Sequence, residues 1–305
     1  MELKDTSYNF KYKDIENIWC IFNCLSNNTF SSIELSYGQN GVYTISCETM
    51  MSVLKTIEVI DFCCDRNAYS DGYTLIRKFR DDIMQYLFIL NVIQNKHGLS
   101  DEEFQEYPLE PEFILEVINK NIEILINGER KSKAELAMEK WIYDELDNLE
   151  NIKDRKKFFG TSKYKSYLMI NNKKVEHIFK YFLVDKWEVE NRKLNNYVHS
   201  NGKKYLTDNY VHPGKTEKDK ELIETMNNIV DIFLSVLIMI DSSKCHSSDY
   251  VDALEMGIQP VEESQYWVCP AIFEYMNKRF DKKLLSYIQK NEGYGMQFLK
   301  PKIFL

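Results

Sequence analysis

Residues Glu188 to Gly202 read EVENRKLNNYVHSNG. Arg192 and His199 stand seven apart, and at 100° per residue they fall about 20° short of two full turns, so both share one side of a helix. Asn195 lies between them, Glu188 sits one turn before Arg192, and Asn196 is about 40° to the other side. Trp187, Leu194 and Val198 point away, about 200–240° round from Arg192. One polar strip opposite one apolar strip is the pattern of a helix laid on a core. The periodicity extends this helix back to Val175, and Ser200-Asn201-Gly202 supplies a stop after His199.

Working outward, the same period recurs. Asp14–Leu25, Thr49–Cys64 and Thr74–Asn95 read as three helices upstream; in the third, Leu75, Ile76, Phe79, Ile83, Tyr86 and Leu87 form one stripe. Further helices are expected at 112–127, 132–149, 216–241 and 271–290, with a basic, aromatic connector over 150–173 and an extended tail from 291. Gly and Pro total only 17 of 305 residues, too few for the turns of a sandwich or barrel. The one strand candidate is a small hairpin near 30–46. The expected fold is therefore all-α, a helical bundle with at most that hairpin. The acidic stretch His97–Pro111, with Gly98, Pro108 and Pro111, suggests a boundary between an N-terminal helical lobe (1–110) and the bundle (111–305).

The net charge of −8 is a poor signature for a nucleic-acid binder, but it is unevenly spread. Residues 153–204 hold fourteen Lys and Arg against five Asp and Glu, a net of +9 that leaves −17 elsewhere. Phe158, Phe159, Tyr164, Tyr167, Phe179, Tyr181 and Phe182 are interleaved with them. Cations attract phosphate and aromatic faces stack on unpaired bases. The plainer alternative is a solvated basic surface whose aromatics belong to the core. Seven cysteines, an odd number, and a charged start (MELKDTSYNFKYK) where a secretory leader would be apolar point to reduced thiols and a cytoplasmic setting. The longest apolar run, Ile232–Ile240, falls well short of the ~18 residues a membrane span needs.

Arg192, six intervening residues and His199 resemble the Arg-x(4–6)-His signature of the HEPN superfamily. LNNYVHSNG, the long apolar helix after it and, more loosely, LIRKFRDDIMQYLF upstream resemble HEPN-like proteins of bacterial phage defence. The residue after Arg192 is Lys193, where that family usually carries Asn, Asp or His. The resemblance implies an all-α bundle and a metal-independent endoribonuclease without cofactor, acting as a toxin in abortive infection or a toxin–antitoxin pair. It implies Arg192 and His199 as catalytic residues, with Glu188, Asn195 and Asn196 supporting them. It also implies a homodimer whose twofold axis passes near them, RNA contacts from Lys186, Lys193, Lys203 and Lys204, and a partner such as an antitoxin. The residue types suit the chemistry, because His moves protons near neutrality and Arg presents a planar fork to phosphate. The alternative is a non-catalytic binding or sensor module on the same scaffold.

Other constellations carry less. Cys20 and Cys24 lack a second pair at ligand spacing and read as buried thiols; Cys245, His246 and His212 lack one too. Asp249, Asp252 and Glu255 read as the acidic first turn of a short helix. Arg77 and Asp81 are spaced for an ion pair within their helix, beside Arg80 and Asp82.

Overall fold

A computed structural model describes residues 8–27, 34–36, 42–94, 116, 133–142, 159–210, 214–247, 253, 256–258 and 268–299. Three helices open the chain: α1 (Lys13–Asn27), α2 (Ile45–Asp65) and α3 (Tyr69–Gln94). Between α1 and α2 lies the expected hairpin, β1 (Glu34–Ser36) antiparallel to β2 (Val42–Thr44), with Leu35 opposite Tyr43. Next come α4 (Lys133–Ile142), α5 (Thr161–Asn171), α6 (Lys173–Ile178), a π-turn (Phe179–Leu183), α7 (Val184–Val198) and α8 (Lys203–Thr207). The chain continues through α9 (Lys215–Asp241), a 3₁₀ turn (Ser242–Cys245), α10 (Pro270–Arg279) and α11 (Lys282–Asn291). The fold is mostly helical, as the composition and periodicity required.

The core forms where α1, α3 and α9 meet. Ile15, Ile18, Phe22 and Leu25 repeat at helical spacing on the buried side of α1. Phe22 stacks on Phe233 of α9 at 5.2 Å and meets Phe79 of α3 edge-on at 5.2 Å. Each such ring contributes about 1.5–3 kcal/mol of burial. From Leu222 to Met239, α9 is buried on nearly every side, which makes it the central helix. Close approach to α3 is possible because Gly72 faces it: a Cβ there would come within 2.7 Å of the Leu222 side chain.

The segment from Lys215 to Cys245 is long and apolar enough to cross a membrane, with a mean hydropathy of 1.6 over its best window. That window is 83 % buried against other helices of the same chain, so its apolar surface is already covered. One continuous hydrophobic core joins α1–α3 to α5–α7 and α9–α11. The described parts of 1–110 and 111–305 thus do not form separate cores. The stretch His97–Pro111 and the helix expected at 112–127, apart from Glu116, lie outside the described residues.

Three local expectations need correction. The connector over 150–173 contains α5, a helix with only Tyr164 and Leu168 buried and no one-sided apolar pattern to announce it. Phe88 of α3 receives both Tyr164, stacked at 5.1 Å, and Tyr167, edge-on at 4.9 Å. The single helix expected at 271–290 is two. Phe280 is extended, and the Asp281 carboxylate accepts the Lys283 and Leu284 amides at 2.8 and 2.9 Å, capping α11. The loop expected at 201–215 contains the short helix α8.

Candidate functional site

The helix expected over 175–199 is built from α6, the π-turn and α7 in succession. Asn172 starts it, its side-chain oxygen accepting the Lys174 and Val175 amides at 3.0 and 3.1 Å. Trp187, Glu190 and Leu194 are the buried residues of α7, while Val198 is only half-buried. Glu188, Arg192 and His199 are exposed, and Asn195 and Asn196 are half-exposed. The polar strip therefore faces solvent, as the helical count required.

The end of α7 is a Schellman motif. Ser200 takes the left-handed conformation with φ 48°. Its amide donates to the Tyr197 carbonyl at 3.2 Å, and the Asn201 amide donates to the Asn196 carbonyl at 2.9 Å. The turn closes on Ser200, two residues before Gly202. Where such motifs usually place an apolar contact, a polar one stands here: Asn201 Nδ2 donates to Asn196 Oδ1 at 3.2 Å. Asn196 Nδ2 in turn donates to the Tyr205 hydroxyl at 3.1 Å. The Tyr197 ring lies flat on Tyr73 of α3 at 4.0 Å and meets Tyr205 edge-on at 4.9 Å. Its hydroxyl donates to Asp208, which pairs with Lys218. His199, the C-cap, therefore leaves a firmly anchored helix end, its amide donating to the Asn195 carbonyl at 3.1 Å.

Among the described residues, no hydrogen bond or ion pair engages the Arg192 guanidinium or the His199 ring. The bonds expected from Glu188 and Asn195 to these side chains are absent from that set. Glu188 stays exposed, and Asn195 acts through its backbone carbonyl. Asn196 supports the site from a distance by holding the cap.

The four lysines expected to contact RNA divide into two pairs. Lys203 and Lys204 are exposed at the start of α8, with the Lys204 ammonium 4.7 Å from the Tyr205 ring centre. Lys186 instead pairs with Asp231 of α9 at 2.5 Å. Asp231 is 1 % exposed and also receives the Tyr275 hydroxyl and Arg279 Nη2, each at 2.9 Å. Lys193 reaches Glu221 at 3.5 Å and Glu190 at 3.6 Å, and donates to the Thr225 hydroxyl at 3.0 Å. Glu190, buried, accepts from Asn228 at 2.8 Å. Lys186 and Lys193 are thus spent on fastening α7 to α9, because a buried carboxylate needs a cation beside it.

A similar fastening joins α3 to α7 and α5. Arg80, buried, donates to Asp81 at 2.7 and 3.0 Å and to Asn191 at 2.8 Å, with Trp187 5.9 Å from its guanidinium. Thr161 donates to the same Asp81. Arg77 pairs with Asp81 at 3.7 Å, as its spacing predicted. Lys165 lies 5.2 Å from the Trp187 and Phe179 rings, and its desolvation there pulls its pKa below the ordinary lysine value. Of the interleaved aromatics, Tyr164 and Phe179 are core residues, whereas Tyr181 is exposed.

Among the described residues, no group of three His, Cys, Asp or Glu is arranged to hold a metal. His212, Asp249, Asp252 and Glu255 lie outside those residues. Cys20 and Cys24 do not ligate together with a third group, and both are half-buried on α1, not fully buried as expected. An open cleft of about 690 Å³ runs between α1, α9 and α10, lined by Asp14, Lys220, Glu224 and Arg279 among others. Its charges are largely paired with one another, Arg279 with Glu224 at 2.7 Å and Lys278 with Asp14 at 3.5 Å. Against known proteins, no family model, curated protein or solved structure matches this chain.

Proposed function

We propose that this chain is a metal-independent endoribonuclease of the HEPN type, a toxic cytoplasmic effector of a phage-defence or toxin–antitoxin system. The observation that supports it is the pairing of Arg192 and His199 on one exposed face of α7, two turns apart and about 10 Å along the axis, neither engaged by a described neighbour. The other cations of α7, Lys186 and Lys193, both sit in ion pairs. A cation and an imidazole kept free on a rigid support suit phosphate chemistry. The ribose 2′-hydroxyl attacks the adjacent phosphorus, His199 moves the proton, and Arg192 steadies the charge developing on the phosphate oxygens. The 5′-oxygen leaves, and the products carry a 2′,3′-cyclic phosphate and a 5′-hydroxyl. Single Arg and His residues make a thin site, and a second copy related by a twofold axis near them supplies separate acid and base.

The test is RNA cleavage by purified protein in EDTA, comparing wild type with His199→Ala and mapping the RNA ends. Loss of cleavage only on metal removal, or equal cleavage by the variant, overturns the assignment.

One observation favours a second reading, a non-catalytic RNA- or protein-binding module in a defence complex, with an antitoxin as one such partner. Lys186 and Lys193 are held inside the fold, which leaves Lys203 and Lys204 as the exposed members of the expected RNA contacts. A module of that kind keeps its cellular phenotype in Arg192→Ala and loses it through surface changes elsewhere.

A further inference from the structure

Beyond Arg192, the exposed face of the same helix carries an aromatic cluster at the π-turn. The His177 ring lies parallel to Tyr287 of α11, at 4.5 Å and 9°. Tyr181 covers the other part of this pair, 4.5 Å from His177, and Phe182 closes the group 5.8 Å from Tyr287. A π-turn widens the helix locally and is frequent at functional sites. Here Phe179 and Leu183 turn into the core while Tyr181 turns out, 69 % exposed. An aromatic ring of that size left in water, backed by two further rings, offers a flat face with nothing described upon it.

The rim of this cluster is cationic. Lys173 is one turn before His177 and is exposed, as is Lys174. Lys174 Nζ lies beside the turn that ends α11, 3.6 Å from where a Cβ on Gly293 would stand. Lys290, three residues after Tyr287, is exposed on the same side of α11. The nearby Glu176 is already neutralised by Lys180 at 2.9 Å. Cations around an open ring face are complementary to a strand that alternates phosphate with base.

Tyr181 stands eleven residues before Arg192 on the same helical run, at most about 16 Å from it along the axis. We propose that Tyr181, backed by His177 and Tyr287, is a stacking platform for an unpaired base of an RNA strand. Lys173, Lys174 and Lys290 take the flanking phosphates, and the same strand runs on to Arg192 and His199. The ligand class is single-stranded RNA, bound with little sequence preference because every base has a face to stack. The part of this proposal that places the scissile phosphate at Arg192 rests on the ribonuclease reading; the platform itself does not.

The experiment measures binding of a fluorescent single-stranded RNA of roughly 4–16 nucleotides, the range such grooves occupy. It uses the full chain carrying His199→Ala, so that binding is read without cleavage. Tyr181→Ala is expected to weaken binding about 5- to 150-fold, while Tyr181→Phe, which keeps the ring, retains it. An abasic strand with the same phosphates should bind the parent as weakly as RNA binds Tyr181→Ala. Circular dichroism checks that the variants fold, which the exposure of Tyr181 favours. Equal RNA affinity in Tyr181→Ala and parent overturns the platform, and so does an absence of RNA binding by the parent. Unchanged RNA affinity with an altered molar mass by light scattering assigns the face to a protein contact and likewise overturns it. Tyr181-dependent binding by a chain that never cleaves RNA upholds the platform and removes the ribonuclease reading.

Discussion

Arg192 and Lys193 are neighbouring cations on one helix with opposite surroundings. Arg192 stands in solvent beside His199, whereas Lys193 turns about 100° and lies among Glu190, Glu221 and Thr225. The two sides of α7 follow the same division. The outer side holds Glu188, Arg192 and His199 without a described side-chain hydrogen bond or ion pair. The inner side binds Lys186 to Asp231, Lys193 to Glu221 and Thr225 of α9, and Asn191 to Arg80 of α3. One side anchors, and the anchoring leaves the other side rigid and available for chemistry. Basic residues in a run therefore do not share a role; the angle at which each leaves the helix decides it.

The sharpest break of this comparison is on the outer side. His199→Ala should lower the rate of EDTA-resistant RNA cleavage by about 10²–10⁴-fold, the range that a lost general acid or base produces. Arg192→Ala should lower it about 10²–10³-fold. Neither should move the thermal midpoint by more than a degree or two, because both side chains are exposed and unpaired in the described fold. A large stability loss in either variant would erase the distinction between the two sides.

On the inner side the effect should be on stability. Asp231→Ala leaves Lys186 and Arg279 facing a buried void and should cost about 3–5 kcal/mol in urea unfolding. Removal of an exposed carboxylate such as Glu188 should change stability by less than about 0.5 kcal/mol. Comparable losses from the two would break the contrast.

The lysines sharpen it further through salt. Replacing both Lys203 and Lys204 by Ala should reduce the slope of log affinity for RNA against log salt by about 1–2, since each phosphate contact releases counterions. Lys193→Met should leave that slope unchanged while lowering stability by about 1–3 kcal/mol, because Glu190 is left without its cation. Salt titrations of binding and denaturant curves on the same three proteins decide between these outcomes.

The smallest expected effect concerns pH. Burial lowers the pKa of His246 below its ordinary 6.5. Above that value the ring is neutral in both folded and unfolded chains and contributes no pH dependence. As the pH falls below about 6.5, the unfolded chain takes up a proton that the folded chain resists, so stability declines. The slope cannot exceed about 1.4 kcal/mol per pH unit. His246→Asn should flatten the curve between pH 6.5 and 5; an unchanged curve would assign the acid loss to other groups.

The long helices were readable in the chain: α1, α2 and α3 from their apolar period and α9 from its length and apolar run, each within a few residues at either end. The hairpin was readable from its turn residues. Helix α5 was not, because it is held by two side chains, Tyr164 and Tyr167, that meet Phe88 more than 70 residues away. The break between α10 and α11 depended on Asp281 acting as a cap, a role any surface aspartate could equally decline. The stop of α7 was placed at the right three residues, yet the position that closes the cap fell on Ser200 (φ 48°), with Gly202 also at positive φ two residues later. The hydrogen bonds of the Asn196 and Asn201 backbone and side chains hold that conformation.

Residue spacing alone makes the chain helical, puts Arg192 and His199 on a side of one helix, and sets Trp187 and Leu194 opposite them. Each of these follows from residue spacing on a fixed 3.6-residue turn, which needs no knowledge of neighbours. Which cations stay free was set by long-range packing. That depends on where Asp231 and Glu190 come to rest in the core, since a buried carboxylate claims the nearest cation whatever the local charge of the chain. It also decided that Tyr181 stands out beside His177 and Tyr287 while Phe179 turns in, because a π-turn and a helix more than 100 residues further along meet at that point.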